Sequence, residues 1–588
     1  MYVTLCLCVL VVNSYSGYGQ FGSELFPESP ATEDDAAMQE QVERLLERRI
    51  DLNRASALEL LAIPWLNSLL AYRIVAARDS VGRFASVEQL RLVPGMTAET
   101  FEALRPFLRV GGRRQTWTGS VVSRAGTDSV QSGTAGLRTF NRLNLQLGQA
   151  RVAALAEKDR GETNAFDFLS TGTELRLGRA RVTLGDFTAG FGRGLVFSAP
   201  YWRSSFLDGA DRTEQNTRLV NSAVEGSYLR GGAMEAGTGR WNLCVLGSYA
   251  GRDARLREDG TVERLLGSGV HDDSAALAGR NAVREATVGL GAGYRGSVAG
   301  AGFTVGYSKY NRTFAPADSS NSFVGKELFA AGVNADFKLV HYDLGVEMAG
   351  SSGPGLAGAV ELNGDWPDFD ARVSLRGRQA RFFAPNGRWS SLTQTADRLD
   401  ASGRLAWHHG GSGVSLSGNT YRDFELDSVP AKLEVRLRQE SGGLDVGLVL
   451  GARYRAELER QRTTRVELGA RISHTTTTHL VLADVYPEKT ESRGTMAALL
   501  LRQGLGRAEL DLAAARLVIS GPGVTMYLYE PGAERIGSSY STGVSTWRLS
   551  AGCGVRIGEW LRLGLKAGCA WKPQAALDGA AQLELEKR

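Results

Sequence analysis

The residues with the clearest chemical capacity lie in Arg91-Leu92-Val93-Pro94-Gly95-Met96-Thr97. Pro94 disfavours helix at the residue before it, so the apolar run ending at Val93 must turn there. Gly95 lets backbone amides approach an anion closely. The Thr97 hydroxyl is placed to cap a following helix, which leaves neighbouring amides free for a phosphate. Arg91 and Arg105 flank the turn and add screened attraction. A second proline turn, Ile63-Pro64-Trp65-Leu66-Asn67, carries no glycine, so Pro64, Trp65, Leu66 and Asn67 are read as a degenerate version. Between Ile50 and Arg114 nine arginines stand against six carboxylates, with Arg91, Arg105, Arg109, Arg113 and Arg114 gathered towards the glycine-bearing turn and its exit. Contacts of that kind give affinity for a phosphate backbone without reading bases.

Other chemistry is thin. His271, His341, His408, His409, His474 and His479 are scattered, and the spacing from His474 to His479 suits an exposed turn better than a metal site. Of five cysteines, Cys6 and Cys8 would leave with an N-terminal signal; Cys244, Cys553 and Cys569 remain, so they cannot all pair within one chain, and no two have metal-ligand spacing. They read as small wall residues. Gly192-Arg193-Gly194 and the other glycine clusters open no helix after a strand, which excludes a nucleotide-phosphate loop and leaves turns or small wall residues. Segments His271 to Ser274 and Asp318 to Ser322 read as exterior or periplasmic loops. No nucleophile pairs with a base, so the chain is expected to be no enzyme and to hold no cofactor or metal.

The elements that must position these residues fall into four segments. Residues 1–19 read as a signal peptide, with an apolar stretch from Val3 to Val12 and small residues before Gln20. Residues 20–37, with Pro27, Pro30 and an acidic cluster, read as a linker. Residues 38–112 read as a small all-α domain: a charged helix with an apolar stripe at Val42, Leu45 and Leu46, then two helix pairs. Ser56 with Glu59, and Ser86 with Gln89, have capping-box spacing. From residue 113 the apolar period becomes two. In Arg465 to Ser473 one face is Val466, Leu468, Ala470 and Ile472, and the other is Arg465, Glu467, Gly469, Arg471 and Ser473. From Trp560 to Trp571, Leu561, Leu563, Leu565, Ala567 and Cys569 oppose Arg562, Gly564, Lys566 and Gly568. About two dozen such segments of roughly 9 to 14 residues, tight glycine turns, and aromatics near strand ends (Trp117, Tyr249, Tyr307, Trp407, Tyr454, Trp560, Trp571) fit a large antiparallel transmembrane β-barrel. The fold class is therefore α + β multi-domain, with outer-membrane lipid as a partner.

Asp51-Leu52-Asn53-Arg54-Ala55-Ser56, Ile63-Pro64, Gly82 to Leu90 and Val93-Pro94-Gly95-Met96 together resemble the tandem helix-hairpin-helix domain of ComEA-like competence proteins. The resemblance implies DNA binding without sequence preference through hairpins that usually read Pro-Gly-Ile-Gly. Here Thr97 replaces the second glycine of one hairpin, and Trp65 and Asn67 replace both in the other. Gly185-Asp186-Phe187-Thr188-Ala189-Gly190-Phe191-Gly192-Arg193-Gly194-Leu195-Val196 is similar to a motif of uncharacterised exported proteins of Bacteroidetes-type bacteria, which join helix-hairpin-helix repeats to a barrel. Two functions follow as expectations. In one, a periplasmic domain contacts the phosphate backbone of double-stranded DNA beside its own outer-membrane pore in a Gram-negative envelope, as in DNA uptake. In the other, the domain docks envelope proteins of a secretion assembly and no longer binds DNA.

Overall fold

The computed structural model describes residues 49–587, apart from 54, 56–59, 61–62, 64–65, 67, 95, 97–100, 102–103, 111–116 and parts of the longer inter-strand loops. The expected signal peptide, linker and first helix lie outside the described residues, as do Ser56, Glu59 and Asp318 to Ser322.

The helical domain is closed by its own ends. Ile50–Asp51 pairs in parallel with Leu108–Arg109, and the Leu52 amide adds a bond to the Arg109 carbonyl at 3.0 Å. Between them, α1 (Ser68–Val81) stops at Gly82, whose φ of 79° is the left-handed conformation that ends helices cheaply. Leu60, Ile63, Ile74, Leu90, Phe101 and Leu104 are fully buried in one core. The second unit departs from expectation: Val87–Leu92 is a 3-10 segment, not an α-helix. Its Ser86 makes no side-chain cap bond and bonds the Glu88 side chain instead, while Gln89 Oε1 accepts the Ala85 amide at 2.6 Å. The expected capping box is not formed, because Gln89 reaches the amide of the residue before Ser86. Val93 is extended (φ −71°, ψ 127°), as a residue before proline must be.

From Trp117 to Lys587, 24 antiparallel strands close into a barrel. Their lengths run from 9 residues (Ala150–Lys158) to 16 (Ala299–Phe314), a little beyond the expected range. The last strand, Ala575–Lys587, pairs with both Leu561–Trp571 and Trp117–Thr127, which removes every edge. One rim carries connections of a few residues, for example between His409 and Ser412, and the other carries the long loops. Trp117 pairs with Leu147 at the short-turn rim, so the helical domain joins the barrel there. Helix α1 comes within 8 Å, Cα to Cα, of strand Gly355–Trp366, about half-way round from Trp117–Thr127. Helix α1 thus lies by the wall opposite the strand that follows the domain.

The two faces are inverted relative to a soluble protein. Met348, Leu565, Val333 and Leu468 point outward and exposed, whereas Arg376, Arg548, Glu285 and Glu347 point inward and are almost fully buried. The alternation expected for Trp560 to Trp571 holds, with Gly564, Lys566 and Gly568 inside and Leu563 and Leu565 outside. The outward leucines require lipid, since no soluble sheet exposes them while burying its arginines. Trp117, Trp407 and Trp560 sit at the short-turn rim, and Tyr249 and Trp571 at the opposite one, all on the outside. The side chains of Tyr454 and Arg471 lie outside the described residues. We predict that Leu565→Arg, mid-strand on the outer face, costs about 2–4 kcal/mol near the bilayer midplane. It should sharply reduce the heat-modifiable folded form on gels, with Leu565→Ala much milder; equal yields would mean that this face meets water.

Candidate nucleic-acid interface and lumen strap

The two hairpins share one backbone turn despite their different sequences. In the first, the Ile63 amide bonds the Leu60 carbonyl (3.0 Å) and the Leu66 amide bonds the Ile63 carbonyl (3.1 Å). In the second, the Val93 amide bonds the Leu90 carbonyl (3.0 Å) and the Met96 amide bonds the Val93 carbonyl (2.9 Å). Leu66 is buried and Met96 packs half-buried on the same core, while Pro94 is exposed. Pro64, Trp65, Asn67, Gly95 and Thr97 lie outside the described residues. The hairpin that lost its glycines therefore keeps the fold of the turn in its flanking residues.

Of the arginines expected near the second hairpin, Arg113 and Arg114 lie outside the described residues, and Arg91 and Arg105 are joined by Arg73. The Arg91 guanidinium lies 4.1 Å from the centroid of the Phe101 ring, a stacking that fixes its direction. Arg105 Nη2 lies 4.0 Å from Glu88 Oε1, both side chains being more than half exposed. Arg73, from α1, donates from Nη1 to the Pro94 carbonyl at 3.2 Å. Sequence spacing had not joined Arg73 to this turn, because only the packing of α1 brings it there. Glu88 opposes the cations. Its carboxyl is held below the usual range by a backbone hydrogen bond and the Ser86 hydroxyl, with Arg105 and Arg91 adding to the effect.

Asn53 is a positioning residue that spacing did not single out. Its Nδ2 donates to the Phe84 carbonyl (2.9 Å) and its Oδ1 accepts the Phe84 amide (2.8 Å), clamping the first unit to the start of the second.

Inside the barrel, Gly192-Arg193-Gly194 is neither a rim turn nor part of the wall, which corrects the expectation. Strand Ala180–Ala189 keeps its register with Phe168–Leu177 only as far as Gly172 opposite Gly185. Beyond that point Phe187, Thr188 and Ala189 pair with Leu219, Arg218 and Thr217 instead. Gly185 has φ 95°, and a side chain there would run into the Thr171 carbonyl. The strand parts from Phe168–Leu177 at this glycine, stays paired with Leu229–Thr238 as far as Phe187 opposite Leu229, and residues 190–198 then continue as a strap within the lumen. Phe191, Leu195, Val196 and Phe197 are buried against inward alanines and glycines of the facing strands. Arg193 reaches Asp336 and stands 3.5 Å from Glu361, and its amide bonds Glu347.

Most described lumen arginines are likewise neutralised: Arg376 by Glu361 (2.6 Å), Arg398 by Asp400 (2.7 Å), Arg436 by Glu434 (2.7 Å) and Arg465 by Glu467 (2.6 Å). At the long-loop rim, donor atoms of Glu162, Asp167 and His271 lie within 4.8 Å of one another. The ring of His271 is 2.5 Å from Asp167 and 2.9 Å from Asp253, and Arg280 is 2.7 Å from Asp167. The Arg280 guanidinium already sits against Asp167 and both ring nitrogens of His271 meet carboxylates, so the cluster ties these loops together. His479 lies inside strand Thr476–Pro487 rather than at a turn, and His474 falls outside the described residues. Cys244 points into the lumen, while Cys553 is exposed and Cys569 half-buried on the outer wall.

We predict that Asn53→Ala leaves a half-buried donor and acceptor at Phe84 without their partner, at about 1–3 kcal/mol. Protease cutting within residues 49–109 should speed up while barrel heat-modifiability is unchanged; equal resistance would show that the clamp is dispensable.

Comparison with known proteins agrees with this division. Residues 47–109 match the family model for the helix-hairpin-helix motif. The transcriptional accessory protein Tex of Neisseria gonorrhoeae is 36% identical over 106 residues, covering 18% of this chain and 14% of that protein. The tex protein of Bordetella pertussis is 36% identical over 94 residues, covering 16% and 12%. The chain thus spans only a small part of these relatives. Among solved structures, the translocation pore of the P pilus usher PapC has a TM-score of 0.39 at 11% identity, covering 80% of this chain and 99% of that one. The siderophore receptor PirA of Acinetobacter baumannii has a TM-score of 0.39 at 8% identity, covering 82% of each. Residues 47–109 are a helix-hairpin-helix segment, and it is joined to the closed 24-strand barrel.

Proposed function

We propose that this chain is a non-catalytic outer-membrane barrel whose ComEA-like helix-hairpin-helix domain lies at the periplasmic mouth and holds double-stranded DNA by its phosphate backbone, as a step in DNA uptake. The observation that carries the reading is the cationic surface of the second unit, with Arg73 bonded to the Pro94 carbonyl of the hairpin, Arg91 stacked on Phe101 and Arg105 beside Glu88. The contacts are electrostatic and backbone-directed, so they hold DNA without choosing a sequence.

A second reading has its own support. Leu92 is 82% exposed beside the second hairpin, and Val81 is 64% exposed at the end of α1. Exposed apolar side chains of this size suit a protein partner, as in an envelope or secretion assembly with no DNA contact.

The two readings separate in a salt titration of the full protein, folded in detergent, with fluorescent double-stranded DNA. The DNA reading expects affinity to fall steeply with salt, and Arg91→Ala with Arg105→Ala to lower the log–log slope by about one unit per lost phosphate contact. Glu88→Gln should tighten binding at neutral pH. In the parent protein the same gain should appear only as pH falls below the usual carboxylate range, because the lowered pKa keeps Glu88 charged until then. No binding at low salt would leave the docking role.

A further inference from the structure

We propose that residues 190–198 are a movable gate within the barrel, latched to the wall by a reciprocal pair of charge contacts at Arg193 and Glu347. The inference rests on the reading of the barrel as a membrane passage. Three observations carry it.

First, the strap belongs to the lumen and not to the wall. Its backbone bonds join it to itself (Phe191 amide to Phe197 carbonyl, 3.2 Å; Gly194 amide to Phe191 carbonyl, 2.9 Å) and to other loop residues (Gly190 amide to Asn216, 2.8 Å; Ser198 amide to Asn386, 2.8 Å). Its Arg193 and Leu195 amides bond the Glu347 side chain of a wall strand, and among the described residues it has no ladder register with one. Displacing it breaks no sheet.

Second, the wall is shaped to receive it. A Cβ at Gly289 would stand 2.9 Å from the Phe197 ring, and one at Gly306 also 2.9 Å. One at Gly291 would overlap the Phe191 ring, and one at Gly345 would coincide with the Arg193 guanidinium. Glycines at four wall sites on three strands make a seat for the two phenylalanines and the arginine. The same strands then bound a wider lumen when the seat is empty.

Third, the latch is local and charged. The Glu347 carboxylate accepts backbone amides of Arg193 and Leu195, and Gly192 turns over it with φ 53°. Two amides, one residue apart on either side of Gly194, thus converge on one carboxylate. In return the Arg193 guanidinium enters the carboxylates Asp336 and Glu361. Gly194, with φ 81°, follows directly, so Arg193 is flanked by glycines in a conformation that other residues adopt only with strain. Asp336 and Gly345 lie on the parts of their strands nearest the short turns, so the latch holds the strap deep in the lumen.

The test is planar-bilayer conductance of the full protein. Arg193→Ala and Glu347→Gln should each raise the open fraction and conductance several-fold. A reversible lock separates strap movement from altered lumen charge. The Cγ of Phe191 is 3.0 Å from a Cβ at Gly291, so Phe191→Cys with Gly291→Cys brings the two Cβ atoms near the range of about 3.5–4.5 Å that a disulfide spans. Cys244 lies directly across from Gly291 and is removed by Cys244→Ala. Oxidation should close the channel, reduction should restore it, and oxidation in the Arg193→Ala background should abolish the gain. Inserted variants with unchanged conductance, or a conductance indifferent to the lock, would overturn the gate alone. Failure of the heat-modifiable parent protein to enter the bilayer would overturn the membrane reading and the gate with it.

Discussion

Closure of the sheet is the constraint on which the rest of this structure depends. In hydrocarbon an unpaired backbone amide or carbonyl costs several kcal/mol, so a spanning sheet must have no edge. The pairing of Ala575–Lys587 with Trp117–Thr127 meets that requirement and also fixes which side of every strand is inside. Once the ring is closed, side chains alternate between lipid and lumen, and Leu565 and Lys566 take opposite environments although they are adjacent.

A ring of this size encloses more space than its own wall side chains fill, and the chain uses loops from the long-loop rim to occupy part of it. The strap at residues 190–198 covers one sector, with Phe382 and Ala384 of the segment after Arg378 packed into the same cluster. Val524, Met526 and Leu528 cover an apolar inner patch formed by Val481, Met496 and Leu517. Elsewhere the inner wall carries paired charges. Arginine and glutamate on neighbouring inward positions neutralise each other, since an isolated buried charge would be far costlier than a paired one. This pairing reduces the attraction of the described wall for a polyanion and shifts the weight of any DNA contact to the helical domain.

The helical domain works under the opposite limit, having very few residues with which to form a core. It compensates by joining its ends through Ile50–Asp51 and Leu108–Arg109 and by packing two turns of the same backbone form on shared apolar residues. Leu60, Ile63 and Leu66 correspond to Leu90, Val93 and Met96 at a constant offset, so the two hairpins are repeats even where the surface residues that made them alike have changed.

What the sequence determined by itself was whatever depends on near neighbours. The two-residue alternation in Arg465 to Ser473 and in Trp560 to Trp571 assigned the wall faces correctly, because a strand's side chains alternate whatever it pairs with. Pro94 fixed an extended Val93 for an equally local reason. Tertiary structure decided what depends on distant partners. Gly192-Arg193-Gly194 has the composition of a turn, and it becomes a lumen strap because the ladder with Phe168–Leu177 breaks at Gly185 and because glycines at 289, 291 and 306, about a hundred residues later, leave room for two phenylalanines. Arg73 reaches the second hairpin, and Asn53 reaches Phe84, only through the packing of α1 and its neighbours. Local periodicity carries the direction of a side chain, but the identity of what it meets is set by contacts between residues far apart in the chain.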